Sequence, residues 1–245
     1  MIEVRGVHKT FGDNHVLRGI DLLALEGRTT VIIGGSGSGK SVLMKHMIGL
    51  LRPDRGSVLV DGEDTTGLSE RELTRVRAKF GMVFQSAALF DSMSVGDNVA
   101  FPLREHRNLP DKEIRRIVAE KLALVDLAGS EHLFPAELSG GMRKRVGLAR
   151  AIVLDPKIIL YDEPTTGLDP INANSVDEMI QNAKARLGVT SVVITHDIAS
   201  SFRIGDHIAM IHEGLIVEQG SADDLRRSRH PFVHKFLSTW FAKGE

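Results

Sequence analysis

Cysteine is absent from the 245-residue chain. That excludes disulfides, thiolate metal sites and a cysteine nucleophile, and it fits a reducing compartment. An excess of either charge is missing too. Lys and Arg total 31 against 32 Asp and Glu, a net charge of −1, so no global basic field invites nucleic acid. No apolar run reaches the roughly 18–20 residues that span a bilayer. The opening Met1-Ile2-Glu3-Val4-Arg5 does not read as a signal peptide. The expectation is a chain that serves any membrane from the cytoplasmic side, through a partner. Repeats, low-complexity tracts and Pro/Ser-rich linkers are lacking as well. What remains is an ordinary globular composition, 42% hydrophobic and 26% charged, long enough for one large or two small domains.

Against this background residues 34–41 read Gly34-Gly35-Ser36-Gly37-Ser38-Gly39-Lys40-Ser41, the G-x-x-x-x-G-K-[ST] phosphate-binding loop. An apolar, β-branched run, Thr29–Ile33, enters it, and a helical pattern with Val42, Leu43, Met47 and Ile48 apolar leaves it. Glycines let backbone N–H groups converge on phosphate oxygens without Cβ clashes. The helix starting near Gly39 points its positive end, roughly half a charge, at the same anion. Lys40 adds a full charge for the β- and γ-phosphates, and Ser41 a hydroxyl for Mg²⁺. ATP and Mg²⁺ are the expected ligands.

The remaining pattern predicts strands at 2–7, 16–25, 29–33, 56–61 and 80–84, with a short helix at 69–77 before the last. From Ser94 to about Asp155 the reading is helical throughout, in segments 95–106, 111–127 and 140–154. Strand 157–161, helix 170–187, strand 190–195 and a hairpin at 207–218 follow, then two short helices. Strands alternating with helices predict an α/β fold with a parallel-sheet core. The leading strands form a small antiparallel lobe, and the helical block is an inserted subdomain. The predicted division is 1–85 with 156–228 for lobe and core, 86–155 for the helical subdomain, and 229–245 for a C-terminal helical extension.

Ile158–Tyr161 is an apolar strand ending in Asp162-Glu163, at the edge where doubly wound sheets place ligands. Asp162 is placed to hold hydrated Mg²⁺ opposite Ser41, and Glu163 to polarise a water for attack on the γ-phosphate. A further segment, Leu138-Ser139-Gly140-Gly141-Met142, opens the helix at 140. Ser139 suits an N-cap, and the glycines admit an anion. The residues alone allow an ordinary capped helix start equally well. If instead this is a second phosphate grip on another subdomain, a symmetric head-to-tail dimer lets each copy lend it to the other's nucleotide.

Taken together these motifs resemble the ATP-binding cassette (ABC) ATPases over nearly the whole chain. Gly34–Ser41 matches the Walker A motif, Leu138–Met142 the signature, Ile158–Glu163 Walker B, and Gly167-Leu168-Asp169 the D-loop. Gln85 sits at the Q-loop position, His196 at the switch histidine, and Phe11 at the aromatic that stacks on adenine. The resemblance implies a P-loop NTPase (RecA-like) core. By it Gln85 senses Mg²⁺ and the attacking water, His196 contacts the γ-phosphate, and Ser139, Gly140 and Gly141 grip the partner's nucleotide. Asp169 is assigned to the same nucleotide site. Met142 replaces the common Gln of the signature, and Gly35 the frequent Pro of Walker A; neither change removes a phosphate contact.

Only about 120 residues separate Lys40 from Asp162, too few for a long coiled-coil insertion. The default is the detached ATPase subunit of a transporter. The segments Phe84–Phe90 and Asn98–His106, with the Walker A and signature variants, resemble the MlaF-type ATPases. Those energise lipid transporters with MCE-domain subunits at the inner membrane. The resemblance implies a permease seated in a groove at Gln85–Phe90, lined by Ala87, Ala88, Leu89 and Phe90, an MCE-domain partner, and no nucleic acid. A polar-solute importer and a soluble ATPase acting on nucleic acid are the alternatives. Lesser expectations concern three places. His230 and His234 read as surface residues, and Arg143-Lys144-Arg145 as an exposed basic helix face. The C-terminal apolar stripe, Phe232 or Val233 with Phe236, Leu237, Trp240 and Phe241, docks on its own domain or, alternatively, on a second subunit or a partner.

Overall fold

The computed structural model describes residues 1–241, with side chains through Ser238. In chain order the elements are β1 (Ile2–Phe11), β2 (Asn14–Ala24), β3 (Thr29–Ile33), α1 (Lys40–Met47), β4 (Arg55–Val60), β5 (Glu63–Asp64), α2 (Glu70–Arg77) and β6 (Phe80–Val83). Then come α3 (Val95–His106), α4 (Asp111–Leu124), α5 (Gly140–Ala151), β7 (Ile158–Asp162), α6 (Pro170–Leu187), β8 (Thr190–Thr195), α7 (Ile198–Ile204), β9 (His207–His212), β10 (Leu215–Gly220), α8 (Ala222–Arg226) and α9 (Pro231–Phe241).

Two sheets form. A four-stranded antiparallel sheet has the order β2-β1-β4-β5, and a six-stranded sheet the order β10-β9-β3-β8-β7-β6. In the larger sheet β9, β3, β8, β7 and β6 run parallel, and β10 returns antiparallel. All five residues of β3 are buried, as a central parallel strand with both faces covered requires. Alternation divides the core between those faces. Val31, Ile159, Tyr161 and Val193 pack towards the helices, while Ile32, Leu160, Val192 and Ile194 pack towards α1 and the antiparallel sheet.

Register sets up the site. Ile33 lies opposite Thr195 and Met210, Asp162 opposite Ile194, and Val83 opposite Tyr161. The C-terminal ends of β3, β8, β7 and β6 are therefore level. The segments that follow them, beginning at Gly34, His196, Glu163 and Phe84, line one edge of the sheet.

The helical block divides where the predicted segments do, except that α4 ends at Leu124 and α5 at Ala151, three residues short of each reading. Residues 107–110 and most of 125–139 are loops, with one 3₁₀ turn at Pro135–Glu137. Helix α7 has no counterpart in the predicted elements; its start is set by a cap, Asp197 accepting from Ser200 N–H at 3.1 Å, rather than by an apolar repeat. On α9, Val233 and Leu237 are buried, and the Phe232 ring stacks on His212 with centroids 3.5 Å apart. This part of the stripe docks on its own domain; the side chains of Trp240 and Phe241 lie outside the described residues.

Asp206 ties the far edge together. Its Oδ2 accepts from Thr29 N–H at 2.7 Å and from Lys184 Nζ at 2.8 Å, joining the starts of β3 and β9 to α6. Burial pushes its carboxyl up, but Lys184, the Thr29 N–H and Arg28 more than offset that and hold it below the ordinary range. A depressed folded-state carboxyl adds stability above its unfolded pKa and loses it as pH falls through the folded one. Asp206→Asn should therefore cost about 1 kcal/mol at pH 7. It should also flatten the fall in urea midpoint as pH drops below the ordinary aspartate value of about 3.9, where the wild type loses this contribution.

Candidate functional site

The loop after β3 is shaped for an anion. Gly37 and Gly39 have φ of +76° and +106°, a region that favours glycine. A Cβ at Gly34 would stand 2.3 Å from the Ile211 carbonyl oxygen, so the backbone can lie this close to β9 only without a side chain. Among the described residues no side chain caps the N-terminus of α1, and Ser38 Oγ is buried without a hydrogen-bond partner. Uncapped N–H groups and an orphaned hydroxyl facing a glycine cradle fit phosphate oxygens. Lys40 is 7% exposed, and its ammonium donates to the Gly34 and Gly35 carbonyls at 2.8 and 2.9 Å. Burial lowers its pKa, opposed by the charges of Glu163 and Asp162. Ser41 is exposed one residue on, and Gly35 and Ser36 complete the loop.

Across the sheet edge, Asp162 is pushed above the usual carboxylate range by burial and by Glu163, with Lys40 and Lys45 opposing. A carboxyl so placed gains from a cation, and the loop hydroxyl of Ser41 with Asp162 is a donor set suited to Mg²⁺. Glu163 sits at φ +49°, left-handed for a non-glycine, its N–H donating to Ile194 O at 2.8 Å. Such backbone costs about 1–3 kcal/mol and persists where the surroundings enforce it. Its Oε2 lies 2.8 Å from His196 Nδ1 and accepts from Thr166 Oγ1 at 3.0 Å and His196 N–H at 3.4 Å. A carboxylate oxygen only accepts, so Nδ1 carries the proton of that contact. Oε1 receives no hydrogen bond among the described residues.

Gln85 is exposed after β6. Its carbonyl accepts from the Lys144 ammonium, and Arg150 donates to the Ala87 and Ala88 carbonyls at 2.6 and 2.7 Å. Both alanines have positive φ, +61° and +48°. Lys144 corrects the expected exposed basic face: it is 5% exposed, beneath this loop, while Arg143 is exposed. Its signal was present as i, i+3, i+4 spacing with Gly147 and Leu148 on α5. Ala87 is corrected too. It is buried against Gly147 and cannot line a groove; Phe84, Ala88 and Phe90 are exposed there, with the Phe90 and Phe101 rings 5.1 Å apart. Asn98, buried on α3, also went unread as a fixing residue. It donates to the Phe90, Met93 and Ser94 carbonyls and accepts from Phe90 N–H.

Ser139 is exposed and caps α5, accepting from Met142 N–H at 3.2 Å. Gly140 and Gly141 lie against Leu168 and Asn172. Asp169 caps α6 through Ile171 and Asn172 N–H, so its carboxylate is turned to its own helix. Phe11, 46% exposed at the end of β1, has Lys9 Nζ 5.5 Å from its ring centroid. His230 and His234 are exposed.

Known proteins are similar to this chain in sequence and fold. The chain is 47% identical over 237 residues to "Probable ribonucleotide transport ATP-binding protein mkl" of Mycobacterium tuberculosis, covering 97% of this chain and 66% of that one. It thus spans just under two thirds of that relative. It is 43% identical to "Intermembrane phospholipid transport system ATP-binding protein MlaF" of Haemophilus influenzae, covering 100% of this chain and 91% of the relative. A dimeric ATP-binding cassette solved in a post-hydrolysis state with ADP and Pi superposes with a TM-score of 0.81 at 31% identity, over 91% of this chain and 99% of that one. The ABC transporter family profile matches residues 17–166, more than half the chain, across the phosphate loop and the Asp162-Glu163 edge, and the chain belongs to that family.

Proposed function

We propose that this chain is the ATP-binding and ATP-hydrolysing subunit of an ABC transporter that moves phospholipid or a related lipid between membranes with an MCE-type system. The observation that carries the hydrolytic part is the meeting of Lys40, Asp162 and Glu163 at one sheet edge, with Glu163 Oε2 occupied by donors and Oε1 left for a water. Phe11 stacks the adenine, and Gly34–Ser41 hold the phosphates. Ser41, Asp162 and Gln85 hold Mg²⁺, which when bound neutralises phosphate charge. Glu163 takes the proton of the attacking water, and His196 orients Glu163 and the γ-phosphate.

Two copies close head to tail, Ser139, Gly140 and Gly141 of each completing the other's site, with Asp169 holding the start of α6 beside it, as the dimeric solved relative suggests. ATP binds the closed dimer better and so shifts that population. The exposed Phe84, Ala88 and Phe90 pass the motion to a permease, which holds the subunit at the cytoplasmic face of the cell membrane. The helical block is read as the subdomain that carries the second grip.

The lipid substrate is supported by the whole-length likeness to a phospholipid-transport ATPase. The mycobacterial relative's name, ribonucleotide transport, favours the polar-solute reading instead. Purifying the tagged chain from its native membranes in mild detergent, with mass spectrometry of proteins and lipids, decides between them. A permease with an MCE-domain protein and bound phospholipid is expected. A permease with a polar-solute binding protein would keep the ATPase and overturn the substrate.

A further inference from the structure

Behind the Glu163–His196 pair lies a second polar layer that the chemistry above does not use. Asp177, in the middle of α6, is 3% exposed. Its Oδ1 accepts from Ser200 Oγ, and its Oδ2 from Arg203 Nε and Nη2 at 2.9 and 2.6 Å. Ser200, wholly buried on α7, donates its N–H to Asp197 Oδ1. Asp197 follows His196 directly, and its Oδ2 accepts from Thr165 Oγ1 at 3.4 Å, two residues past Glu163. The contacts thus run from α6 through α7 to Asp197, which follows His196, and on to Thr165, two residues past Glu163. The same face of α6 continues the fastening at i+4 and i+7: Gln181 Nε2 donates to Arg203 O, and Lys184 to Asp206, each at 2.8 Å.

Helix α7 has seven residues, too few to hold itself in place. An apolar contact would fasten it at less desolvation cost than a buried carboxylate, whose pKa burial here drives upward against Ser200 and Arg203. What a carboxylate with three directed donors adds is orientation. Apolar packing tolerates rotation and sliding of a short helix; three angular contacts do not.

We propose that Asp177 is a positioning residue: through Ser200 and Arg203 it fixes the N-terminus of α7 and so holds His196 on Glu163. This rests on the reading of Glu163 as the base. The test replaces the polar fastening by an apolar one, Asp177→Leu with Ser200→Ala and Arg203→Met, a change that leaves none of the three side chains with an unpaired buried polar group. ATPase kinetics of the full chain should then show kcat down by about 10-fold or more with KM for ATP within about twofold. Wild-type kcat in the folded triple variant would overturn the proposal while leaving the ATPase reading intact. Should the triple variant not fold, the isosteric Asp177→Asn, which removes the carboxylate that Ser200 and Arg203 share, gives the same decision. Lower kcat at constant KM supports the positioning role, and unchanged kcat overturns it. If the wild type shows no Glu163-dependent hydrolysis, the functional reading falls and takes the proposal with it.

Discussion

Glu163→Gln is expected to lower the turnover number for ATP by about 10²–10⁴-fold while leaving ATP affinity within about twofold. The substitution is nearly isosteric, so the backbone at φ +49° and the Ile194 contact are undisturbed. The amide oxygen can still accept from Thr166 Oγ1 and His196 Nδ1, the partners that now hold Oε2. What it cannot do is take a proton on the opposite side, because an amide nitrogen is no acceptor. Binding and catalysis are thereby separated. Nucleotide affinity rests on the loop around Lys40, and proton transfer on the one free carboxylate oxygen. A second consequence follows from linkage. If hydrolysis is what ends the ATP-bound state, the variant accumulates as a closed dimer in ATP. Turnover by phosphate release, affinity by a fluorescent nucleotide and dimer content by size exclusion read all three. Near wild-type turnover would remove Glu163 from the role of base.

Much of this site was legible because its chemistry is local in sequence. Gly34–Ser41 carries strand, loop and helix start within a few residues, and the structure places β3 and α1 around it. Asp162 and Glu163 follow an apolar strand whose register, opposite Ile194, carries them to the same edge. What the residues could not show is the way the loops are held. The cations on α5 grip carbonyls some sixty positions earlier, Lys144 at Gln85 and Arg150 at Ala87 and Ala88, and no period within α5 announces an acceptor that distant. Lys144 in a basic triplet reads as solvated; only its place above Gly147 and Leu148 gives the buried face away. Helix α7 was hidden for a related reason. It is short, it lacks an amphipathic repeat long enough to register, and its start depends on Asp197 and its seat on Asp177 of another helix. The helical readings run past the observed ends only at 125–127 and 152–154, because Val125, Leu127, Ile152 and Val153 are buried against the core and mimic a helical period.

Ser139→Arg is expected to abolish turnover while leaving ATP binding by the single chain unchanged. Ser139 is exposed, so the larger side chain meets solvent and no core is overpacked. Loss of its cap on Met142 N–H costs the helix about 1 kcal/mol, too little to unfold a domain of this size. Nothing in the Lys40 loop touches it, so an isolated copy should bind ATP normally. The effect arises only if the N-terminus of α5 meets another copy's nucleotide, where a guanidinium would fill the space in front of Gly140 and Gly141. The shared-site geometry also allows complementation. When Ser139→Arg and Glu163→Gln copies are mixed, each heterodimer keeps one site with an intact Glu163 facing an intact Ser139. Two inactive preparations should then recover hydrolysis together, up to about a quarter of the wild-type rate for random pairing and independent sites. Full activity of Ser139→Arg alone would instead confine the catalytic site to a single copy and reduce Ser139 to an ordinary helix cap.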